Sequence, residues 1–104
     1  MRVIERKMLH AIKSGKSVDL GNTRIVTGID VSRVYLFNNL IATIDFGTGE
    51  LDVITRYQSA TTKSRLNVIL REFANTSIYQ SDFVWYYSDN TYTNSGRTFF
   101  GVTK

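Results

Sequence analysis

The chain contains no cysteine and only one histidine, His10, among its 104 residues. Without thiols it can form neither a disulfide framework nor a thiolate metal site. A single histidine also excludes, within one chain, a two-histidine metal site and a histidine–cysteine catalytic pair. These absences favour a non-catalytic protein without a cofactor or a metal, and they suit a reducing cytosol.

Long apolar segments are missing as well. Residues 1–7 carry charges where a signal peptide needs an apolar core, and no segment is long enough to span a bilayer. We therefore expect no membrane association. The length fits one domain, and a hydrophobic content of 42% with 12% aromatic residues supports one core and argues against wholesale disorder. The sequence predicts a single α+β domain over residues 1–104.

Positive charge is concentrated at the start of the chain. Residues 1–16 hold five Lys or Arg against Glu5 alone, a net charge of +4, whereas eight cations and eight acids balance in the remainder. Such a concentration favours encounter with an anionic partner. A solvated helix face with a chance excess of cations explains the pattern equally well. The candidate partner or nucleic-acid contacts in this segment are Arg2, Arg6, Lys7 and Lys13.

The same segment has the periodicity of an amphipathic helix. Apolar residues recur at helical spacing and predict a helix from about Arg2 to Ser14, with Gly15 as its stop. The apolar side consists of Val3, Ile4, Met8, Ala11 and Ile12. The polar side consists of Arg2, Glu5, Arg6, His10 and Lys13.

Residues 23–57 have the pattern of an antiparallel meander. Segments 23–27, 33–37, 40–46 and 51–57 are β-branched or alternate with a period of two, and turn residues separate them. Asn38-Asn39 suits a tight hairpin turn. In segment 40–46 the apolar face is formed by Leu40, Ala42, Ile44 and Phe46.

A second helix is predicted from Thr61 or Thr62 to about Ala74. Its buried stripe consists of Leu66, Ile69, Leu70 and Phe73. Two further strands follow, at 83–87 and 98–102. The predicted fold class is α+β, with two helices packed on one face of a curved antiparallel sheet of about five strands.

The junction before this second helix is crowded with hydroxyls and cations. The first turn of a helix presents unpaired N–H groups and a partial positive charge, so this junction suits a phosphate, a carboxylate or an acidic partner surface. The candidate ligand-binding residues are Arg56, Tyr57, Thr61, Thr62, Lys63, Ser64 and Arg65. The alternative is that one threonine is an ordinary N-cap and the cations are solvated.

Two other patterns have two explanations each. The aromatic residues of segment 79–92 suit either nucleobase stacking or a subunit contact, and Tyr86 is the side chain most expected to lie outside the core. Asp45 and Asp52 lie on opposite arms of the hairpin around residues 47–49. They either hold a divalent cation or only keep the strands soluble, and the second explanation is the more common.

Several segments together resemble a family of short, uncharacterised proteins of tailed bacteriophages. They are RVIERKMLHAIKSGK, GNTRI, VYLFNNLIATI, TTKSRLNVIL and DFVWYY, of which TTKSRLN is the most specific. The resemblance implies a phage origin and a location in the host cytoplasm. It implies no established activity.

These observations leave three functional hypotheses. The first is a host-takeover or counter-defence protein that binds an anionic target, either a signalling nucleotide or a site on a host defence protein. The second is direct nucleic-acid binding through the basic N-terminal helix and exposed aromatic residues. The third is a small enzyme such as a metal-dependent nuclease. For any of them we expect a homodimer or higher homo-oligomer, because closed dimers are the commonest assemblies.

Overall fold

The computed structural model describes residues 2–93 and 96–103, which contain two helices and eight strands. In chain order these are α1 (Val3–Ser14), β1 (Val18–Asp19), β2 (Thr23–Gly28), β3 (Val31–Leu36), β4 (Asn39–Asp45), β5 (Glu50–Ile54), α2 (Ala60–Phe73), β6 (Ile78–Ser81), β7 (Val84–Tyr87) and β8 (Arg97–Gly101). The predicted α+β class is confirmed. No helix in the described part of the chain has the length and apolar content needed to cross a bilayer.

Six of the strands form one antiparallel sheet in the order β1-β2-β3-β4-β5-β8. The first five follow one another as the predicted meander, and β8 returns after α2 to pair with β5. The remaining two strands, β6 and β7, form a separate hairpin. Prediction of about five strands omitted β1 and β6, because two and four residues are too short to show a clear alternation.

The core lies on one face of the large sheet. Ile25, Val34, Ala42 and Val53 align across β2, β3, β4 and β5, and all four are fully buried. Both helices contribute to the same cluster, α1 through Met8, Leu9, Ala11 and Ile12, and α2 through Leu66, Val68, Ile69, Leu70 and Phe73. The predicted buried stripe of α2 is therefore confirmed, because each of its four residues lies in this core.

Two hairpin turns differ from the prediction. The β3–β4 turn is made by Phe37 and Asn38, with φ angles of 49° and 66°, so Asn39 already belongs to β4. The β6–β7 turn is made by Asp82 and Phe83, with φ angles of 49° and 64°, so Phe83 precedes the strand in which it was placed. Two successive positive φ angles match the twist of paired strands, and here a phenylalanine adopts one of them.

The predicted apolar face of β4 is interrupted. A register shift between Val34 and Tyr35 of β3 marks a bulge. Ile41 and Ala42 are both buried as a result, although they are neighbours in sequence. Phe46 follows the strand and is 40% exposed, with its ring edge against Phe73 at 5.8 Å between centroids. A bulge inserts one residue into the two-residue period, so the simple alternation fails there.

Candidate functional site

The N-terminus of α2 is capped by Ser59. The Ser59 hydroxyl accepts a hydrogen bond from the backbone N–H of Thr62 at 3.1 Å, and the two side-chain hydroxyl oxygens are 2.9 Å apart. The prediction that Thr61 or Thr62 opens the helix was therefore wrong, because the helix begins at Ala60. Thr62 is buried and its hydroxyl is engaged in the cap.

Arg65 is buried and Ser64 is half-buried, and both donate to Glu5. Arg65 Nη1 donates to Glu5 Oε2 at 2.9 Å, and the Ser64 hydroxyl donates to the same oxygen. The side chains of Arg65 and Glu5 are only 2% and 3% exposed. The prediction that Ser64 and Arg65 face an external anion is thus corrected: a carboxylate of the protein itself occupies these donors. Glu5 is also displaced from the solvated side of α1, where the helical pattern placed it.

This buried ion pair connects three elements. Arg65 Nε donates to the Thr23 hydroxyl at 3.0 Å, and Nη2 donates to Asn22 Oδ1 at 3.4 Å. The other Glu5 oxygen accepts from the backbone N–H of Arg2 at 3.3 Å. Burial raises the pKa of Glu5, but the hydrogen bonds from Ser64, Arg65 and Arg2 outweigh burial and leave the pKa below its ordinary value. The pair is therefore a charged structural connection between α1, α2 and the start of β2.

The outer part of the predicted junction is more open. Lys63 Nζ donates to Gln80 Oε1 at 3.3 Å, which turns Lys63 toward β6. Lys63 also lines a pocket of about 310 Å³ together with Phe83, to which Arg56 and Tyr57 do not contribute. Arg56 and Tyr57 are exposed, and Thr61 is half-buried. Ligand binding by these four residues stays a prediction, and the structure does not bring them to one pocket.

The N-terminal cations sort into two groups. Lys13 pairs with Glu72 at 2.7 Å. Among the described residues, Arg2, Arg6, Lys7 and Lys16 are exposed and form no ion pair. Because Glu5 is buried and neutralised by Arg65, the exposed surface of this segment has no acid to offset those four cations.

A groove between α1 and the segment that follows it brings some of these cations together. Its volume is about 490 Å³. It is lined by Val3, Arg6, Lys7, His10, Ala11, Lys16, Ser17, Val18 and Leu20. We refer to this site as the basic groove. Of the predicted contacts it includes Arg6 and Lys7 but not Lys13.

The α1–α2 cleft is a second opening, and Arg2 belongs to it rather than to the basic groove. Its volume is about 800 Å³, and Glu5 and Ser64 lie in its wall together with Arg71.

Sequence reasoning missed Lys16, Val18 and Leu20 as parts of a site. The only signal was the alternation of Val18 and Leu20 directly after the helix stop at Gly15. Gly15 has a φ angle of 67°, and the following Lys16 N–H bonds back to the Ala11 carbonyl at 3.0 Å. This left-handed cap reverses the chain and places residues 16–20 beside the helix.

The aromatic residues of the β6–β7 hairpin form an outer and an inner set. Tyr86 lies between Tyr79 and Tyr92, with ring centroids 5.5 and 5.7 Å away. Trp85 and Tyr87 are buried on the other side of the hairpin. Tyr86 therefore belongs to a half-exposed stack of three tyrosines.

The two candidate acids do not face each other. In the β4–β5 register Asp45 lies opposite Glu50, and Asp52 lies opposite Thr43. Asp45 Oδ1 accepts from the backbone N–H groups of Gly47 and Thr48 at 2.9 and 3.0 Å. Asp52 forms an ion pair with Arg97 at 2.8 Å. Within residues 2–93 and 96–103, no group of three or more His, Asp or Glu side chains is placed to hold a metal ion.

The comparison with protein families matches nearly the whole chain to a known family model. The family model of the Kyanoviridae Gp96 protein covers residues 1–103. The chain belongs to this phage protein family. The phage origin implied by the sequence resemblance is thereby confirmed, although the match does not test the TTKSRLN motif itself. No curated protein and no solved structure gives a match.

Proposed function

We propose that this Kyanoviridae Gp96 family protein is a non-catalytic binding protein that acts in the host cytoplasm as a host-takeover or counter-defence factor. It acts by holding an anionic target. The observation that carries this proposal is the set of exposed cations around the basic groove, Arg6, Lys7 and Lys16, which form no ion pair within the part of the chain that the structure describes. A solvated cation that has no ion-pair partner in the protein is available to pair with an approaching anion.

The surroundings of Ser64, Glu5 and His10, which could in principle act in catalysis, support a non-catalytic role. Ser64 is the one serine that donates to a buried carboxylate, among the hydrogen bonds of the described residues. That carboxylate, Glu5, is held in its charged form by Arg65, which makes it a poor proton acceptor for a nucleophile. His10 is exposed on the rim of the basic groove. These side chains suit binding and folding better than bond cleavage.

Charge reversal on α1 tests this proposal. Binding of three fluorescent anions is measured: polyglutamate, a cyclic dinucleotide and a short DNA duplex. We expect at least one to bind in a salt-dependent manner, and Arg6→Glu with Lys7→Glu to remove that binding. Arg24→Glu with Arg33→Glu is the matched control, because it changes the net charge by the same amount at exposed residues of β2 and β3.

Two results would contradict the proposal. One is the absence of binding by all three anions at low salt. The other is turnover of a nucleotide or nucleic acid by the purified protein. Native mass spectrometry of the same samples reads the subunit number, for which a homodimer or higher homo-oligomer stays our prediction.

Direct nucleic-acid binding is the second candidate function, and the tyrosine stack favours it. Tyr79, Tyr86 and Tyr92 present aromatic rings at the surface, where bases stack. The rings already stack on one another, however, and the Tyr79 hydroxyl donates to Asn90. If this function holds, Tyr86→Ala weakens binding of single-stranded DNA, and affinity falls steeply as salt is raised.

A further inference from the structure

The floor of the basic groove is apolar and its rim is cationic. Val3 and Ala11 of α1 face Val18 and Leu20 of the following segment across the floor. Val3 is 57% exposed, whereas Val18 and Leu20 are half-buried beside the core. The floor therefore offers an apolar surface that is open to a partner and continuous with the hydrophobic core.

The rim carries positive charge and no acid. Arg6, Lys7, His10 and Lys16 lie along it, and none of the nine lining residues is Asp or Glu. Two acids adjoin lining residues in sequence: Glu5, which is buried against Arg65, and Asp19, between Val18 and Leu20. Strand alternation places the Asp19 side chain on the opposite face, and its Oδ1 accepts from the Gly21 N–H at 3.0 Å. The groove is therefore complementary to negative charge at its edges and to hydrocarbon at its centre.

We infer that the basic groove docks an acidic segment of a partner protein, with one apolar side chain inserted over Ala11, Val18 and Leu20. Carboxylates of the segment then pair with Arg6, Lys7 and Lys16. This inference rests on the proposed function, since it specifies the anionic target as a protein segment. The apolar anchor and the charge pairs both contribute to the affinity, and the charges also set the orientation and the speed of association.

The composition of the groove disfavours a nucleic acid there. The lining residues include no Phe, Tyr or Trp, so a base has only His10 and Arg6 on which to stack. A sugar–phosphate backbone also gains little from an apolar floor. The tyrosine stack lies on the separate β6–β7 hairpin and does not contribute to this groove.

A second copy of the chain is a less favourable occupant. The β2–β3 turn does offer suitable chemistry, since Ile29 is 95% exposed beside Asp30. That turn supplies one acid, however, whereas the rim of the groove carries three cations, Arg6, Lys7 and Lys16. A partner segment with several carboxylates matches the groove more completely.

The experiment compares two short synthetic peptides by fluorescence anisotropy. One places a single leucine among glutamates, and the other has serine in place of that leucine. We expect the leucine peptide to bind about tenfold more tightly, the smallest effect of burying one leucine side chain. In ¹H–¹⁵N NMR spectra its binding shifts the amide signals of Ala11, Val18 and Leu20.

Three protein variants accompany the peptides. Lys7→Glu weakens binding of the leucine peptide by at least about tenfold, because an attraction becomes a repulsion. Val3→Ser reduces the preference for leucine over serine, and Val3 is exposed enough for the change to leave the fold intact. Arg33→Glu changes the net charge by the same amount but lies on β3, and it leaves the affinity within about twofold of the wild type.

Each remaining outcome overturns the inference in a recognisable way. Equal binding of both peptides means that the floor is unused, and the proposed function survives. If the peptide shifts the signals of Lys63 and Gln80 instead of Val18, it binds at the start of α2. That result contradicts the inference but not the proposed function. Self-association that competes with the peptide makes a second copy the occupant. If neither peptide binds at low salt, and polyglutamate, the cyclic dinucleotide and the DNA duplex also fail, both the inference and the proposed function fall.

Discussion

Arg65 of α2 and Lys7 of α1 carry the same charge in opposite surroundings. Arg65 is buried against Glu5 at 2.9 Å, whereas Lys7 is exposed and forms no ion pair among the described residues. Burial without a partner would be costly for Arg65, so its charge is committed to the fold. The charge of Lys7 is free for an encounter. The position of the matching carboxylate therefore decides which cations stabilise the protein and which are available to a partner.

The largest expected effect is the loss of stability when the buried Arg65 is removed. Arg65→Ala leaves Glu5 buried and unpaired, which we expect to lower the free energy of unfolding by about 3–5 kcal/mol. Urea denaturation at neutral pH measures the loss. Arg71→Ala is the matched control, because Arg71 lies on the same helix but is exposed, and its loss should stay below about 0.5 kcal/mol. A similar small loss for Arg65→Ala would mean that the ion pair is not a structural connection.

The pH dependence of stability tests whether the charge of Glu5 stabilises the fold. The folded protein holds the pKa of Glu5 below its ordinary value of 4.5, because the Ser64, Arg65 and Arg2 donors outweigh the opposing effect of burial. A carboxyl with a lowered folded pKa contributes stability above its unfolded pKa and loses it as pH falls through the folded value.

Glu5→Gln should therefore differ most from the wild type near neutral pH, by about 2–3 kcal/mol in the free energy of unfolding. The difference begins to narrow as pH falls below about 4.5, where Glu5 of the unfolded chain takes up a proton, and it is lost as pH falls through the lower pKa of the folded protein. Urea denaturation of both proteins between neutral pH and about pH 3 measures it. A difference that stays constant over this range would mean that the negative charge of Glu5 does not stabilise the folded protein.

A smaller effect separates the observed helix cap from the predicted one. Ser59→Ala removes the hydroxyl that accepts from the Thr62 N–H, at a cost of about 1 kcal/mol. Thr61→Ala leaves this bond in place and should change the free energy of unfolding by less than about 0.5 kcal/mol. Thermal unfolding of the two variants side by side compares them. The reverse order would restore threonine as the cap.

Local patterns predicted much of the fold. The helical spacing of Leu66, Ile69, Leu70 and Phe73 predicted their burial because each helix turn repeats the same face. Short turns between alternating segments predicted the antiparallel meander, because a short turn can join only antiparallel neighbours. The bulge at Val34 and Tyr35 and the turn at Phe37 were not predicted, since both depend on pairing with a neighbouring strand.

The site was harder to predict than the fold. Ser64 and Arg65 were predicted to bind an external anion, but they donate to Glu5 of the same chain, 60 positions from Arg65 in sequence. Helical periodicity placed Glu5 on the polar side of α1, and only the packing of α2 reveals that this position is buried. The basic groove depends in the same way on contact between α1 and residues 16–20, which no single periodic pattern describes.

Charge reversal at two lysines tests the central claim most directly. Affinity for the glutamate peptide with its single leucine is measured for Lys7→Glu and Lys63→Glu, which change the net charge equally. We predict a loss of at least about tenfold for Lys7→Glu and no more than about twofold for Lys63→Glu. A large loss in Lys63→Glu with unchanged affinity in Lys7→Glu would contradict the account and return the anion site to the start of α2.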